Sequence, residues 1–456
     1  MTKRCLLFLV LLACVSSTHL LAQVTPERLL NAAKEPQSWL TYSGGYAGWR
    51  YSGLDQINTR NAQQLGVEWV FQTGVPGQLE STPIVTDGMI YFTAANNHVF
   101  ALDAHTGRQI WHYQRRLPAG LRICCGPEDR GVAILGNKIF IGTLDAHVMA
   151  LDAKTGNVIW DVEAADYTKG YSFTVAPMAV KDKIILGVAG GEYGIRGFID
   201  AYEAETGKRA WRFYTIPGPG EPGHETWEGD SWKNGGAPAW VMGAYDPALN
   251  LIYYGIGNPG PDADGGVREG ANLYSDCIVA LDVDTGKLKW YFQPTPHDTH
   301  DWDATQTPVL VDADVGGRPR KLLIQANRNG YFFVIDRTNG EFLHAKPFVR
   351  VTWAKQQEPN GRPVALPGTD PSAEGTYICP DVTGGTNWFP PSFNPQTGLV
   401  YVSSRERCAI YYTNPQEFRE GDIYWGSTGQ APTNEKGYGA LRAIDPRTAE
   451  IKWEYK

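Results

Sequence analysis

The chain has 456 residues, of which 42% are hydrophobic and 20% charged, and a formal net charge of -8. It is long for one ordinary core, and its acidic balance, with no basic run, offers nothing for nucleic acid to bind. Seven cysteines, two of them near the N-terminus, make the redox compartment the next question.

Residues 1–22 read as a secretory signal peptide: Lys3-Arg4, an apolar run from Cys5 to Val15, then Leu20-Leu21-Ala22-Gln23 as the cleavage point. The run is too short to span a bilayer. Leu11-Leu12-Ala13-Cys14 is an alternative lipoprotein box. Export puts the mature chain, residues 23–456, in an oxidising compartment where cysteine pairs survive. Cys124, Cys125, Cys277, Cys379 and Cys408 remain there, so at least one is unpaired.

Helical periodicity is confined to residues 25–36. Beyond it a unit Ala-x-Asp-x-x-Thr-Gly-x-x-x-Trp recurs. It reads ALDAHTGRQIW to Trp111, ALDAKTGNVIW to Trp160, AYEAETGKRAW to Trp211, ALDVDTGKLKW to Trp290 and AIDPRTAEIKW to Trp453. A worn copy, VIDRTNGEFLH, ends at His344, and LGVEWVFQTG around Trp69 is a degenerate first copy. Successive ends lie 42, 49, 51, 79, 54 and 109 residues apart. Periods near 40–50 mark a propeller with one four-stranded sheet per blade. The 79-residue interval is a blade plus an insertion. The 109-residue interval is about two blades, the second marked by FNPQTGLVYV at 393–402. In each unit Asp and Thr-Gly make a tight turn, and the Trp packs flat on the neighbouring blade while its N–H finds an acceptor. Paired β-rich runs at 81–93, 131–143 and 176–188 fit the preceding strands. A closed ring pairs its last strand with its first, and about seven blades are counted. The final blade or blades are therefore expected to be missing from this chain.

Between these units lie clusters that the repeat does not need. Cys124-Cys125 have α-carbons about 3.8 Å apart, less than an ordinary disulfide spans. Bonded to each other they close a small strained ring that closes almost no loop; left free they are two small apolar residues in a turn. Glu192 stands among glycines in GGEYG, where backbone can approach a ligand closely or where an acid simply faces water. Asn258, in GIGNPGP, suits ordinary turn chemistry equally well. HDTHDWD is the densest polar cluster, a surface loop or a site for proton transfer; its His297 and His300 read as supporting or loop residues rather than ligands. No His/Cys cluster has zinc spacing, and no Cys-x-x-Cys-His marks a c-type haem.

Taken together, from about Trp39 onward, these motifs resemble the PQQ-dependent quinoprotein alcohol dehydrogenases, the methanol and ethanol dehydrogenase family. The resemblance implies an all-β fold, an eight-bladed β-propeller with tryptophan-docking repeats, holding pyrroloquinoline quinone (PQQ) and Ca2+ or a lanthanide ion. It implies a Cys124-Cys125 disulfide against one quinone face and Trp240, in NGGAPAW, stacked on the other. Glu80 in GQLESTP, Arg130 in ICCGPEDRG, Thr168 and Thr174 in DYTKGYSFTVAP, Gly190 and Gly191 in AGGEYG, Arg328 in ANRNGYF and Asn387 in GGTNWFP would be cofactor contacts. Glu192, Asn258 and Asp301 would ligate the metal, a carboxylate and amide set that suits a hard cation. Asp301 would be the catalytic base, with Arg328 stabilising charge on the quinone oxygens. Asp303, two residues after Asp301, resembles the extra aspartate of lanthanide-using members. Cys379 and Cys408 would form a structural disulfide and leave Cys277 free.

The implied reaction is oxidation of a small alcohol to an aldehyde or ketone by hydride transfer to the metal-bound quinone. A cytochrome c-type protein would accept the electrons, and a homodimer is open to the family. The same machinery serves sugar and polyol oxidation. The repeat alone is shared with non-enzymatic scaffold propellers of outer-membrane assembly type. The insertion at 261–276 lies near the site motifs.

Overall fold

A computed structural model describes residues 23–456, apart from the side chain of Gln356. The expected signal peptide lies outside the described residues. Among those residues, six antiparallel four-stranded sheets follow one another along the chain, at 84–114, 133–163, 178–214, 244–292, 309–347 and 392–455. A short helix at Pro26–Leu30, capped by the Thr25 side chain, and a 3-10 turn at Ala32–Lys34 account for the helical periodicity. Apolar side chains of successive sheets meet in shared cores, as where Ala244 and Tyr253 of the fourth join Leu310 and Leu323 of the fifth. This is a β-propeller.

The repeat acquires a physical explanation. Its first residue lies across the sheet from its last: Ala101 opposes Trp111, Ala150 Trp160, Ala201 Trp211, Ala280 Trp290 and Ala443 Trp453. A small alanine leaves room for the indole. In each of these pairs the register shifts directly after the alanine, bringing the strand into the turn. In that turn Asp103 Oδ1 accepts the Thr106 amide and hydroxyl, both at 2.8 Å; Asp152 and Asp282 do the same.

Each indole then docks on the next sheet. The Nε1–H groups of Trp69, Trp111, Trp160, Trp211 and Trp290 donate to the carbonyls of Ala104, Ala153, Ala204, Val283 and Arg337. Every acceptor lies three residues before a turn glycine, and the ring covers that glycine. A Cβ on Gly156 would come within 2.7 Å of the Trp111 ring, and φ there is +74°. Gly156→Ala is therefore expected to destabilise by about 2–4 kcal/mol: about 1–2 for the left-handed conformation, the rest from displacing the ring. Equilibrium denaturation measures this; a loss under 1 kcal/mol contradicts the docking account.

The fifth-to-sixth junction departs from the rule on both sides at once. The fifth sheet ends its motif in His344 instead of Trp, and the sixth replaces the turn glycine by Ala449, at φ 53°. With no indole to seat, the methyl is tolerated. At the far edge, Trp453 is 43% exposed, with Ile451 and Tyr455 also exposed.

Two expectations change. The 109-residue interval holds one four-stranded sheet, not two, because Ser392–Asn394 and Leu399–Glu406 are the first strands of the sheet that Trp453 completes. The remaining length forms a hairpin of Ala354–Gln357 with Pro363–Ala365, and a three-stranded sheet whose strands begin at Thr376, Ala409 and Gln430. Trp69 docks like the others, but its segment forms no strand. Six full four-stranded sheets are thus counted among the described residues, against about seven blades expected of this chain.

Residues 39–50 tie the sheets together across their first strands. Trp39 pairs with Val85, and Tyr46 O–H donates to the Ala179 carbonyl at 2.8 Å. The Tyr46, Ala47 and Trp49 carbonyls accept the amides of Tyr245, Leu310 and Phe393. One segment of chain so reaches five of the six sheets.

Candidate active site

Antiparallel pairing makes a sheet's first strand begin, and its second strand end, at the same edge. Every residue expected at the site lies in one of those two positions. Glu80, Cys124, Cys125, Arg130, Thr168, Thr174, Trp240, Asp301, Asp303 and Asn387 precede first strands; Gly190, Gly191, Glu192, Asn258 and Arg328 follow second strands. The meander alone gathers residues spread over 300 positions onto one end of the fold.

The centre is built on Arg328, which is 5% exposed. Its Nη1 donates to Asp303 Oδ2 and its Nη2 to Asp301 Oδ2 at 3.2 Å and to the Val382 carbonyl. Asp303 is fixed from two further sides: Oδ1 accepts the Asn258 amide at 2.9 Å, and Oδ2 accepts Trp240 Nε1–H at 3.2 Å. A Cβ on Gly257 would lie 2.3 Å from Asp303 Oδ1, so only glycine admits this approach. Asn258 is 1% exposed, and its Nδ2 donates to Asp262 Oδ1 at 2.8 Å. That bond settles its orientation, because Oδ1 accepts no hydrogen bond from the described residues and lies on the Gly191 side.

Asp301 adopts φ 58°. Its turn is held by Asp298, whose two oxygens accept the amides of His300 and Trp302 at 3.2 and 2.9 Å. His300 stacks on Trp302 and bonds the Thr369 carbonyl, while His297 bonds the Gly270 carbonyl.

Burial dominates the electrostatics. It pushes the Asp301 carboxyl well above its ordinary range; Arg328 opposes that shift, and Asp303 and Glu192 add to it. Glu192, half-buried, is pushed up to about 7 by burial and the Asp303 charge. Burial works against the Arg328 guanidinium, but Asp301, Asp303 and Asp298 hold it charged more firmly than usual.

A second group adjoins the first. Arg130, 7% exposed, pairs with Glu80 at 2.8 Å, donates to the Thr174 carbonyl at 3.2 Å, and lies 4.7 Å above the Trp240 ring and 5.3 Å from that of Trp388. Cys124 and Cys125 are disulfide-bonded, with Cys125 Sγ 4.0 Å from Glu192 Oε1. Joined as a disulfide, these sulfurs are no thiolate ligands; they give the site a wall. Gly190, at φ 111°, has the Gly170 carbonyl where a Cβ would stand.

A matched family model, described as the PQQ glucose/ethanol/alcohol dehydrogenase beta-propeller domain, covers residues 39–358. The chain is 40% identical to the quinoprotein alcohol dehydrogenase PedH of Pseudomonas putida, over 95% of this chain and 78% of that one. It belongs to the PQQ-dependent quinoprotein alcohol dehydrogenases. Quinohemoprotein alcohol dehydrogenase ADH IIB of Pseudomonas putida is also 40% identical, over 91% of this chain but 63% of its own length, so the chain spans under two thirds of that relative. Among solved structures, a europium-containing methanol dehydrogenase superposes with a TM-score of 0.88 at 37% identity, covering 94% of this chain and 80% of that one.

The quinoprotein's residues fit the family's cofactors. Arg130 Nε and Arg328 Nε are buried with no hydrogen-bond partner among the described residues, as suits guanidinium groups that would face an anionic quinone. Glu192, Asp301, Asp303 and the free Asn258 oxygen offer oxygen donors of the kind a hard cation takes, although in this structure the three carboxylates do not converge within 4.8 Å of one another, Glu192 lying instead with Cys124 and Cys125. Two expected contacts stay outside this network. The Thr168 hydroxyl donates to Asp166 Oδ1 at 2.6 Å, capping its own turn, and the Asn387 side chain is spent on the Thr383 carbonyl and the Trp388 amide. Cys379–Cys408 is bonded and Cys277 is free and buried, as the resemblance implied.

Sequence reasoning missed Trp388, Asp262, Asp276, Asp298 and Arg268. Trp388 adjoins Asn387 in the quoted motif, where an aromatic beside the implied cofactor contact was the available signal. Asp262, Arg268 and Asp276 belong to the 261–276 insertion, in which nothing local distinguishes buried charge from solvated loop.

Proposed function

We propose that this chain is the catalytic propeller of a periplasmic PQQ-dependent dehydrogenase that oxidises a small alcohol to an aldehyde or ketone. The observation that carries this reading is the Arg328 fork, which holds Asp301 and Asp303 side by side against Trp240 and Asn258. PQQ, once bound with its metal ion, supplies the two-electron oxidant for the alcohol C–H. The protein's part is to place the alcohol beside Asp301, whose carboxylate takes the hydroxyl proton. Arg328 keeps that carboxylate aimed, and Trp240 and the Cys124-Cys125 wall define where a flat ring lies. Among the described residues no helix is long and apolar enough to cross a membrane. Electrons leave to a cytochrome c-type acceptor, and a homodimer is compatible with the family.

A lanthanide suits the site better than calcium. Six carboxylates, of Glu192, Asp262, Asp276, Asp298, Asp301 and Asp303, gather around two guanidinium groups, Arg268 and Arg328. Burial pushes the Glu192, Asp262, Asp276, Asp301 and Asp303 carboxyls above their ordinary range, and a trivalent ion, more than a divalent one, favours the charged forms that burial disfavours. The europium in the solved relative is in keeping with this.

Dye-linked alcohol oxidation by protein reconstituted with PQQ and either lanthanum or calcium tests the proposal. Activity with lanthanum is the expected result. Activity with calcium alone keeps the dehydrogenase and removes the lanthanide. Neither activity nor a PQQ absorbance band with either metal sinks the reading.

A further inference from the structure

Arg268 is fully buried, at 0% exposure, yet it makes no hydrogen bond to a carboxylate among the described residues. Nε and Nη2 both donate to the Pro261 carbonyl, at 3.2 and 2.9 Å. Nη2 also donates to the Asp298 carbonyl at 2.5 Å and, more weakly, to that of Asp262 at 3.5 Å. Nη1 donates to Asn272 Oδ1 at 2.8 Å. Burying a guanidinium is costly unless its donors are satisfied, and here one planar fork satisfies them on three separate stretches of chain. Its charge is offset at longer range by Asp298, Asp276, Asp262 and Asp264.

Two of those stretches lead into the active site. Asp262 accepts Asn258 Nδ2–H at 2.8 Å, the bond that turns Asn258 Oδ1 towards the metal position. Asp298 accepts the amides on either side of Asp301 and so sets the turn that presents the base. We infer that Arg268 is a positioning residue that holds Asn258 and Asp301 at a fixed separation, by clamping the Pro261–Asp262 backbone to that of Asp298. The inference rests on the reading that these two residues serve metal and base. Lysine, a single point of charge, cannot span the same carbonyls.

The test uses the full chain loaded with PQQ, in wild-type, Arg268→Lys, Asp262→Ala and doubly substituted forms. Calorimetric titration with lanthanum reads metal affinity without activity; thermal melting checks folding. Each single change is expected to weaken lanthanum binding about 10–100-fold, the usual cost of disturbing what orients a ligand. The double variant is expected to lose no more than the worse single one, because both act through one link. At saturating lanthanum, Arg268→Lys stays about tenfold low in kcat through the loosened Asp301 turn.

Unchanged affinity in a folded Arg268→Lys protein overturns the inference, as do losses that simply add. Where Arg268→Lys gives no cooperative melt, unchanged affinity in Asp262→Ala overturns it alone. A wild-type protein that binds no lanthanum overturns instead the reading of the metal site on which the inference rests.

Discussion

Asp301→Asn is expected to lower kcat by about 10³-fold while PQQ and metal stay bound. A positioned general base contributes roughly 10²–10⁴ in rate. Asparagine keeps one oxygen for the cation and the shape of the side chain, and it tolerates the φ of 58° at this position better than most residues. What it cannot do is take a proton. Arg328 Nη2, 3.2 Å from Asp301 Oδ2, would still find an amide oxygen there, so the fork need not collapse. Steady-state turnover with the loaded cofactor confirmed by visible absorbance is the measurement. A loss of less than tenfold at full loading removes Asp301 from the role of base.

Asp303→Ala is expected to act on the metal. The carboxylate is shared by the Asn258 amide, Trp240 Nε1–H and Arg328 Nη1, and its loss removes a negative charge where a trivalent ion gains most. Lanthanum affinity is expected to fall at least 100-fold and calcium affinity much less, as parallel titrations would show. Stability falls too: stripping one partner from a buried ion pair costs about 3–5 kcal/mol, moderated here because Asp301 still faces Arg328. Unchanged lanthanum-dependent activity would exclude Asp303 as a ligand.

The blades were readable because their rule is local. Alanine opposite tryptophan, an aspartate closing on a threonine, and a glycine under the next indole all follow from one two-strand turn, so spacing carries them. The His344 and Ala449 exceptions were visible in the same alignment of repeats, although their mutual dependence needed the packing. Composition could not distribute the 109-residue interval, because a three-stranded sheet and a hairpin inside a blade leave no tryptophan to count.

At the site, the residues legible in the sequence sat in motifs with unusual local composition: paired cysteines, glycines flanking an acid, a dense acidic cluster. Asp262 and Arg268 escaped because their partners are backbone carbonyls and an amide brought close by the fold. Thr168 shows the converse. A hydroxyl in the right motif found a nearer acceptor in Asp166, since a contact two residues away costs far less ordering than one to a distant group.

The tryptophan docking also gives the molecule a direction. Each indole is seated by the sheet that follows it, so damage in one turn is felt by the sheet before, and a sheet's own ring says nothing about its own turn. Trp69 reports on Gly107, Trp111 on Gly156, Trp160 on Gly207. Fluorescence becomes a way to locate a fault: the residue that brightens or shifts names its downstream neighbour, and Trp453, 43% exposed, supplies a half-exposed indole for comparison.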